Sequence, residues 1–341
     1  MQGEEMMMNE VKLLDCTLRD GGYINNWDFT EHQIKSTISN LTNANIDYVE
    51  IGYLTSITGD VNGSQFQCIE SASKLLPNNR KKTKYVIMVD VAQFDIEELC
   101  PRSKDTLDGI RVVFYKRQID LAHVFCDRVR EKGYDLFIQP MVTVDYSAQE
   151  FSELASRFYN NYQPYSIAIV DSFGCMNATM LNSFVEMIRQ NTGDDVRIGF
   201  HGHDNMQLTQ INAASLINCA NRQKLIIDAT VSGIGRGAGN LYTELIANYC
   251  NFHCNSEYNL NQILQVASEV TEPLSRKFKW GYSPYLMLTA MHHAHPNYAT
   301  YLLANHDVSV SEFADFINSI PDDMLTKCTR PYVEELYKQF K

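Results

Sequence analysis

Short runs of apolar residues, rich in β-branched side chains, alternate along most of the chain with longer stretches of helical periodicity. Such runs are typical of buried strands, and their regular alternation with helices predicts repeated βα units and a parallel sheet. The predicted strands are Val11–Cys16, Tyr48–Leu54, Tyr85–Asp90, Ile110–Tyr115, Leu136–Thr143, Ser166–Asp171, Arg197–His203 and Leu225–Val231.

Capping signals mark the predicted helices between these strands. A hydroxyl residue followed three positions later by Glu or Gln satisfies free backbone donors at a helix start. The pattern occurs at Thr30-x-x-Gln33, Ser64-x-x-Gln67 and Ser147-x-x-Glu150. After the first of these boxes, apolar residues recur at helical spacing and predict a buried stripe: Ile34, Ile38 and Leu41. Gly133, before the fifth strand, is predicted to end a helix.

The number of strands decides between a closed barrel and an open, doubly wound sheet. Eight strands, with no glycine-rich turn after the first, favour the barrel. After residue 270 the strand signals stop and an aromatic-rich helical sequence follows. The predicted fold is therefore α/β, a TIM (β/α)8 barrel in residues 1–270 with a C-terminal helical extension in residues 271–341.

Composition narrows the classes of partner. The 341 residues are 45% hydrophobic and 21% charged, with a formal net charge of −12, so we expect no nucleic-acid partner. The short basic run Arg80–Lys84 is predicted to be a solvated loop. No apolar run is long enough to span a bilayer, and the acidic start does not resemble a signal or transit peptide. Nine scattered cysteines favour a reducing compartment, which predicts a cytoplasmic protein.

Two histidines lie at the end of the seventh predicted strand. Residues two apart in a strand point to the same face, so His201 and His203 project together into the mouth of the predicted barrel. Two imidazoles directed at one point suit a borderline metal ion. The alternative is that both are polar residues that cap the interior of the barrel, and the pair alone does not decide between these interpretations.

The positions of residues after two other strands favour the metal-binding interpretation. The first strand is followed by Arg19 and Asp20, and the eighth by a glycine-rich loop that ends at Asn240. Strands seven, eight and one are neighbours in a closed barrel, so these residues converge on one arc of the rim. Asp20, His201 and His203, with Asn240 as a further candidate, predict a site for Mn²⁺ or Mg²⁺, with Zn²⁺ and Co²⁺ as alternatives.

A cation at this position would chelate a 2-oxo acid and withdraw charge as an enolate forms. Arg19 would stabilise the same oxyanion, and its alternative role is a structural ion pair across the barrel mouth.

The segment Thr17-Leu18-Arg19-Asp20-Gly21, the His201-Gly202-His203 pair and the loop ending in Gly239-Asn240 together resemble the DRE-TIM metallolyase superfamily. This group includes 4-hydroxy-2-oxovalerate aldolase, hydroxymethylglutaryl-CoA lyase, and the isopropylmalate and homocitrate synthases. The resemblance spans residues 11–250. It implies that Asp20, His201 and His203 bind the metal, that Asn240 is a ligand in some members, and that Arg19 stabilises the enolate.

The resemblance also suggests further site residues. Glu50 and Asp171 match rim positions of the family, and Glu50 is predicted to be catalytic. The extension resembles that of the aldolases, in which a tyrosine reaches the active site; Tyr298 is the candidate. The nearby His292-His293-x-His295 cluster is predicted to hold surface or packing histidines rather than a metal site.

One position departs from the aldolase pattern. Tyr23 stands where the aldolases have a histidine that serves as general base. A tyrosine with its ordinary pKa of about 10 is a poor base at neutral pH. Tyr23 is therefore predicted to donate a hydrogen bond to the substrate hydroxyl or, alternatively, to form part of the pocket wall.

The sequence thus predicts a metal-dependent carbon–carbon lyase that cleaves a 4-hydroxy-2-oxo acid through the enolate of pyruvate or a related 2-oxo acid. The alternatives are an acyl-CoA condensing enzyme or lyase and a non-catalytic metal-binding homologue. A homo-oligomer is expected, and the resemblance also suggests a dehydrogenase as a partner.

Overall fold

A computed structural model describes residues 10–57, 61–219, 223–326 and 328–341. Its strands are β1 Glu10–Asp15, β2 Tyr48–Leu54, β3 Gln65–Phe66, β4 Lys84–Asp90, β5 Gly109–Phe114, β6 Asp135–Pro140, β7 Ser166–Asp171, β8 Arg197–Gly202 and β9 Lys224–Ala229. All pairings between these strands are parallel. Strand β1 pairs with both β9 and β2, which closes the sheet into an eight-stranded barrel. The short strand β3 adds to β2 outside the ring. The predicted TIM barrel is confirmed.

Each predicted strand corresponds to an observed one. Tyr48–Leu54 and Ser166–Asp171 have the predicted bounds, whereas several others begin or end earlier than predicted. The largest difference is at β6, which ends at Pro140 rather than Thr143. Val142 there takes a left-handed conformation with φ of 53°, which an extended strand cannot include.

The helices are α1 Thr17–Asp20, α2 Gly22–Asn25, α3 Glu31–Asn43, α4 Ile69–Ser73, α5 Ile119–Glu131, α6 Ala148–Tyr162, α7 Ala178–Asn191, α8 Thr209–Cys219, α9 Thr243–His253, α10 Leu260–Val266, α11 Glu272–Ser275, α12 Pro284–Met291, α13 Asn297–Asn305, α14 Val310–Ser319 and α15 Arg330–Phe340. The capping boxes at Thr30 and Ser147 are both formed, and the predicted stripe of α3 is buried. Gly133 follows α5 with φ of +84°.

The predicted capping box at Ser64 is wrong. Ser64 precedes β3, and its hydroxyl donates to the carbonyl of Leu18 at 2.7 Å. The next helix, α4, begins only at Ile69. The hydroxyl is taken by a long-range partner, so the local pattern does not cap a helix here.

After residue 270 the described part of the chain forms helices joined by short loops and contains no strand, as predicted. Helices α12–α15 pack around a hydrophobic cluster that is separate from the barrel core and includes Phe313, Phe316 and Tyr337. The segment before them, through Leu274, packs instead with the barrel core. The division at residue 270 stays a prediction, and residue 270 itself lies within the continuous helical segment 260–275. None of the described helices combines the length and the apolar composition needed to span a bilayer.

Candidate metal centre

The predicted ligands Asp20, His201 and His203 meet at one end of the barrel. His201 lies in β8, His203 directly follows it, and Asp20 ends the short helix α1 after β1. Oδ2 of Asp20 is 3.7 Å from Nε2 of His201 and 4.0 Å from Nδ1 of His203. One ligand atom from each residue lies within 4.8 Å of the others, and all three residues are buried. This spacing suits a single cation between them.

The loop after β9 brings Asn240 to the same place. Asn240 forms an antiparallel bridge with His203, and its Nδ2 donates to Asp20 and to the carbonyl of Ile234. A Cβ atom on Gly235 would lie 2.0 Å from this Nδ2, so glycine is required for the loop to approach so closely.

The donor set fits a divalent cation. Nδ1 of His203 and Oδ1 of Asn240 are buried and have no hydrogen-bond partner. A buried polar atom without a partner costs about 1–3 kcal/mol, and such atoms at a clustered site indicate a missing ligand or ion. Nδ2 of Asn240 faces Asp20, so the amide oxygen would join the donor set only with the amide reversed. A carboxylate, two imidazoles and an amide oxygen suit Mn²⁺, Mg²⁺, Co²⁺ or Zn²⁺.

Behind the ligands lies a chain of buried charges. Nε of Arg19 donates to Glu50 at 2.8 Å, and one Nη donates to Asp20 at 3.0 Å. Glu50 also accepts from Arg111 at 2.9 Å. Glu50 is fully buried and does not line the cavity described below, so the structure disagrees with its prediction as a catalytic residue. It holds Arg19 in place instead.

The same chain of charges reaches His201 through Asp228. Arg111 donates to Asp228, which also contacts Nδ1 of His201 at 3.0 Å. This contact leaves Nε2 of His201 directed toward Asp20. A carboxylate behind a ligating histidine fixes the ring and raises the basicity of its other nitrogen.

A second group, Cys16, His201 and Asp228, also has metal-ligand spacing. Its donors already have partners, because the Cys16 thiol donates to the carbonyl of Ala229 and Asp228 contacts Arg111 and His201. Neither Cys16 nor Asp228 lines the cavity. The Asp20 group is therefore the better metal site.

The electrostatics keep the ligands in their metal-binding forms. Burial opposes ionisation of Asp20, but Arg19 and the two histidines outweigh it and hold the pKa of its carboxyl below the usual range. Burial, with Arg236 and Arg19, lowers the pKa of His203 to about 3 against the opposing charge of Asp20. Asp20 is thus an anion and His203 a neutral imidazole at physiological pH, as metal binding requires.

A cavity of about 650 Å³ opens beside this centre. Arg19, Asp20, Tyr23, His201 and His203 line it, together with side chains from the loops and the extension. The volume lies in the range of small-molecule binding sites. Five of the eight predicted site residues therefore face one cavity.

Tyr23 lies in the wall of this cavity and is 43% exposed. Its ring packs edge-on against Trp27 at 4.7 Å between centroids, and the guanidinium of Arg236 lies 5.8 Å from the ring. Burial of the hydroxyl raises its pKa above the usual value, although Arg19 and Arg236 oppose this rise. Tyr23 is therefore a hydrogen-bond donor and a poor base.

Tyr298 does not reach the cavity. It is fully buried in the core of the extension, and its hydroxyl donates to the carbonyl of Met324 at 2.9 Å. The prediction that it is the catalytic tyrosine of the extension disagrees with this position. The start of α13 directs Tyr298 inward, whereas Asn297 and Thr300 line the cavity.

His295 is the extension residue that the prediction undervalued. It packs edge-on against Phe173 at 5.6 Å, as expected for a packing histidine, but it also lines the cavity. Burial and the nearby Arg236 lower the pKa of His295 to about 3.

Arg111 and Asp228 were also missed by the sequence interpretation. Each lies inside an apolar strand, β5 or β9, and both are almost fully buried. Charged residues are rarely buried without a partner, so a charge within a buried strand was the available signal. Asp171 lies at the rim as expected; its carboxylate accepts from the backbone of Cys175 and Met176, and its carbonyl accepts from the backbone of His203.

The family model described as HMGL-like matches residues 10–270. The chain belongs to this family. Among curated relatives in the family, it is 26% identical over 242 residues to oxaloacetate decarboxylase of Mycobacterium tuberculosis, covering 70% of this chain and 69% of the relative. It is 24% identical over 272 residues to 4-hydroxy-2-oxovalerate aldolase of Geobacillus thermodenitrificans, covering 78% and 77%.

Solved structures agree with this assignment. The N-terminal domain of a candidate aldolase from Bacteroides vulgatus superposes with a TM-score of 0.75 at 28% identity, covering 88% of this chain and 98% of that one. The carboxyl transferase domain of Rhizobium etli pyruvate carboxylase shares the fold, with a TM-score of 0.71 at 14% identity, covering 98% and 61%. The protein is therefore a DRE-TIM metallolyase, an enzyme of the lyase class.

Proposed function

We propose that the protein is a divalent-metal-dependent aldolase that cleaves a 4-hydroxy-2-oxo acid to pyruvate, or a related 2-oxo acid, and an aldehyde. The observation that carries this proposal is the group of Asp20, His201 and His203, with Arg19 beside it, in the wall of one cavity. A relative named for an aldolase of this type supports the reaction class.

Asp20, His201 and His203, with Asn240, would hold the cation. When bound, it would supply Lewis acidity to the 2-oxo group of the substrate. Arg19 donates from Nε to Glu50 and from one Nη to Asp20, which leaves its other Nη without a partner among the described residues. Because Arg19 lines the cavity, this Nη would donate to the oxygen on which negative charge develops.

Cleavage breaks the bond between C3 and C4 of the substrate. The electron pair of this bond passes to the enolate, while the 4-hydroxyl loses its proton and becomes the aldehyde carbonyl. The enolate then takes a proton at C3 to give the 2-oxo acid. Tyr23 would donate a hydrogen bond to the substrate, but the raised pKa of its hydroxyl does not suit it to take the 4-hydroxyl proton.

The remaining groups of the cavity offer one other base. Asp90 is the lining carboxylate besides Asp20 among the described residues; it accepts from the backbone of Ala92 and from Gln93. We assign Asp90 the role of proton acceptor for the 4-hydroxyl.

A second candidate is decarboxylation of an oxaloacetate-like acid. Loss of CO₂ leaves the same enolate and requires no base for a hydroxyl group, which agrees with a tyrosine at position 23. The similarity to an oxaloacetate decarboxylase also supports this candidate.

The test measures pyruvate release by the Mn²⁺-loaded protein from a panel of 4-hydroxy-2-oxo acids and from oxaloacetate. Asp20→Asn and His201→Gln should each lower the rate by at least about 100-fold, because each removes a ligand. His32→Gln, on the exposed face of α3, is the matched control. Full activity in either ligand variant would contradict the proposal, and turnover of oxaloacetate alone would favour the second candidate.

A further inference from the structure

Arg236 is a cation of the cavity wall without an anionic partner. One Nη donates to the carbonyl of Ser172 at 3.1 Å, while its Nε is buried and has no hydrogen-bond partner. None of the described carboxylates lies within ion-pair distance of it. A buried guanidinium nitrogen is normally paired, because leaving such a donor unsatisfied is costly.

The loop that carries Arg236 is fixed in place. The amide of Gly239 donates to the carbonyl of Arg236, and the amide of Ala238 donates to Oδ1 of Asn205. Gly237 takes a φ of +67° and lies against Asn205. The backbone of this loop is thus held by hydrogen bonds, and the guanidinium itself is held by its contact with the carbonyl of Ser172.

His295 supplies a second donor at the same wall. Its Nδ1 accepts from the backbone amide of Asn297 at 3.1 Å, so the proton of the neutral ring lies on Nε2. This Nε2 has no partner among the described residues. The neighbouring positive charge of Arg236 favours the neutral ring. His295 is therefore arranged to donate a hydrogen bond into the cavity and is poorly suited to accept a proton.

Lys279 adds a second positive group at the rim. It lines the same cavity, is exposed, and has no ion-pair partner in the described part of the chain. Besides Asp20, the carboxylate that lines the cavity among the described residues is Asp90, and it already accepts two hydrogen bonds from its own loop. The cavity wall therefore has an excess of cationic and donor groups without anionic partners among the described residues.

From this geometry we propose that Arg236, His295 and Lys279 form a subsite for a second carboxylate, so that the substrate is a 2-oxo diacid. The inference rests on the proposed function for the identity of the 2-oxo end. The aldehyde released from such a substrate would also carry a carboxylate.

The second carboxylate would lie beyond C4. Arg19 and the ligand group lie at the strand ends and would bind the carboxylate and oxo group at C1 and C2. Arg236 lies over the ring of Tyr23, and the other two donors come from the extension. Tyr23 occupies the position that the resemblance places near the 4-hydroxyl. The cavity is also larger than a three-carbon acid would fill.

The experiment compares two unreactive ligands of equal length, 2-oxoadipate and 2-oxohexanoate, by calorimetry with the Mn²⁺-loaded protein. They share the 2-oxo acid end and lack a 4-hydroxyl, and they differ in a carboxylate against a methyl group at the other end. We expect 2-oxoadipate to bind about 10- to 100-fold more tightly, because its second carboxylate would form a charge-assisted hydrogen-bonded pair with Arg236.

Arg236→Met should remove most of this preference, and Arg236→Lys should retain part of it, because a lysine keeps the charge but loses the forked donors. Arg276→Met, at an exposed position of the helical segment, is the matched control and should keep the wild-type preference. Equal binding of the two ligands by the wild type, or an unchanged preference in Arg236→Met, would overturn the inference. The wild-type comparison decides even if Arg236→Met fails to fold.

A parallel activity assay separates this inference from the proposed function. Pyruvate release is measured from 4-hydroxy-2-oxopentanoate and from 4-hydroxy-2-oxohexanedioate. Cleavage of both acids at equal efficiency would support the proposed aldolase and overturn the diacid subsite. A preference of 2-oxoadipate that depends on Arg236, without cleavage of either acid, would support the subsite and contradict the aldolase.

Discussion

The carboxylate of Asp228 does not line the cavity, yet it contacts both His201 and Arg111. Asp228→Asn keeps the shape of the side chain but removes the charge that orients the histidine. We expect the Kd for Mn²⁺ to rise by about 10- to 100-fold, as is usual when the carboxylate behind a ligating histidine is removed. Calorimetric titration of the metal-free protein with Mn²⁺ measures this change.

The matched control for this residue is Asp195→Asn. Asp195 is exposed and accepts from the hydroxyl of Tyr159, so its substitution also removes one hydrogen-bonded carboxylate. It precedes the start of β8, whereas His201 and His203 lie at the other end of that strand. It should bind Mn²⁺ like the wild type. An unchanged Kd in Asp228→Asn would show that Asp228 does not orient His201.

At this scale, sequence reasoning identified the residues whose geometry is local. His201 and His203 share a face because strand side chains alternate, and Asp20 follows β1, which only β9 separates from β8. The buried network needed knowledge of which interior side chains meet across the barrel, as Arg111 and Asp228 do. Strand periodicity does not carry that information.

Helix α13 of the extension provides a prediction at the scale of elements. Its Tyr298 contacts the carbonyl of Met324 and not the cavity. Tyr298→Phe should lower the free energy of unfolding by about 1 kcal/mol, the usual value of one buried hydrogen bond, and leave kcat within about 2-fold. Urea unfolding and pyruvate release measure the two effects. A large loss of kcat with unchanged stability would restore Tyr298 as a catalytic residue.

Strands and helices themselves were predictable because each carries its own period and caps, as α3 and α6 do. The arrangement of the helices in the extension was not predictable, because these helices follow one another without a repeated unit that fixes their order in space. Sequence reasoning therefore selected Tyr298, which packs in the core of the extension, whereas His295, three positions away, lines the cavity.

A second contact between elements predicts a pH dependence. Asp15, at the end of β1, accepts from the amide of Thr17 and from the hydroxyl of Thr243 at the start of α9. Burial raises its pKa to about 6 despite these hydrogen bonds. The unfolded carboxyl has a pKa of about 3.9, so the folded state retains the proton between about pH 4 and pH 6. The protonated carboxyl of Asp15 therefore stabilises the folded state. This contribution to the free energy of unfolding is fully present below about pH 4 and is lost as the pH rises through about 6.

Asp15→Asn lacks this titration. The wild-type free energy of unfolding minus that of the variant should therefore fall by about 3 kcal/mol between about pH 4 and pH 7. Urea unfolding of both proteins across this range, in the presence of a chelator, measures the difference. A difference that stays constant with pH would show that Asp15 is ionised in the folded protein at pH 4.

At the scale of the whole molecule, the proposed metal centre combines residues that follow the first strand and the last two strands of the barrel. Asp20 follows β1, His203 follows β8, and Asn240 ends the loop after β9; the contact between Asp20 and Asn240 spans 220 residues of the chain. The unfolded chain holds no such site, so a cation that binds only the folded state stabilises it by mass action. We therefore expect metal binding and closure of the barrel to be coupled.

Mn²⁺ at about 100 times its Kd should raise the free energy of unfolding of the wild type by about 2.7 kcal/mol and raise its Tm accordingly. His203→Ala should lose most of this gain, because it removes a ligand whose Nδ1 has no other partner. His32→Ala, on the exposed face of α3, should retain it. Calorimetric melting with and without Mn²⁺ measures the three proteins. Equal stabilisation of His203→Ala and the wild type would mean that the cation binds elsewhere.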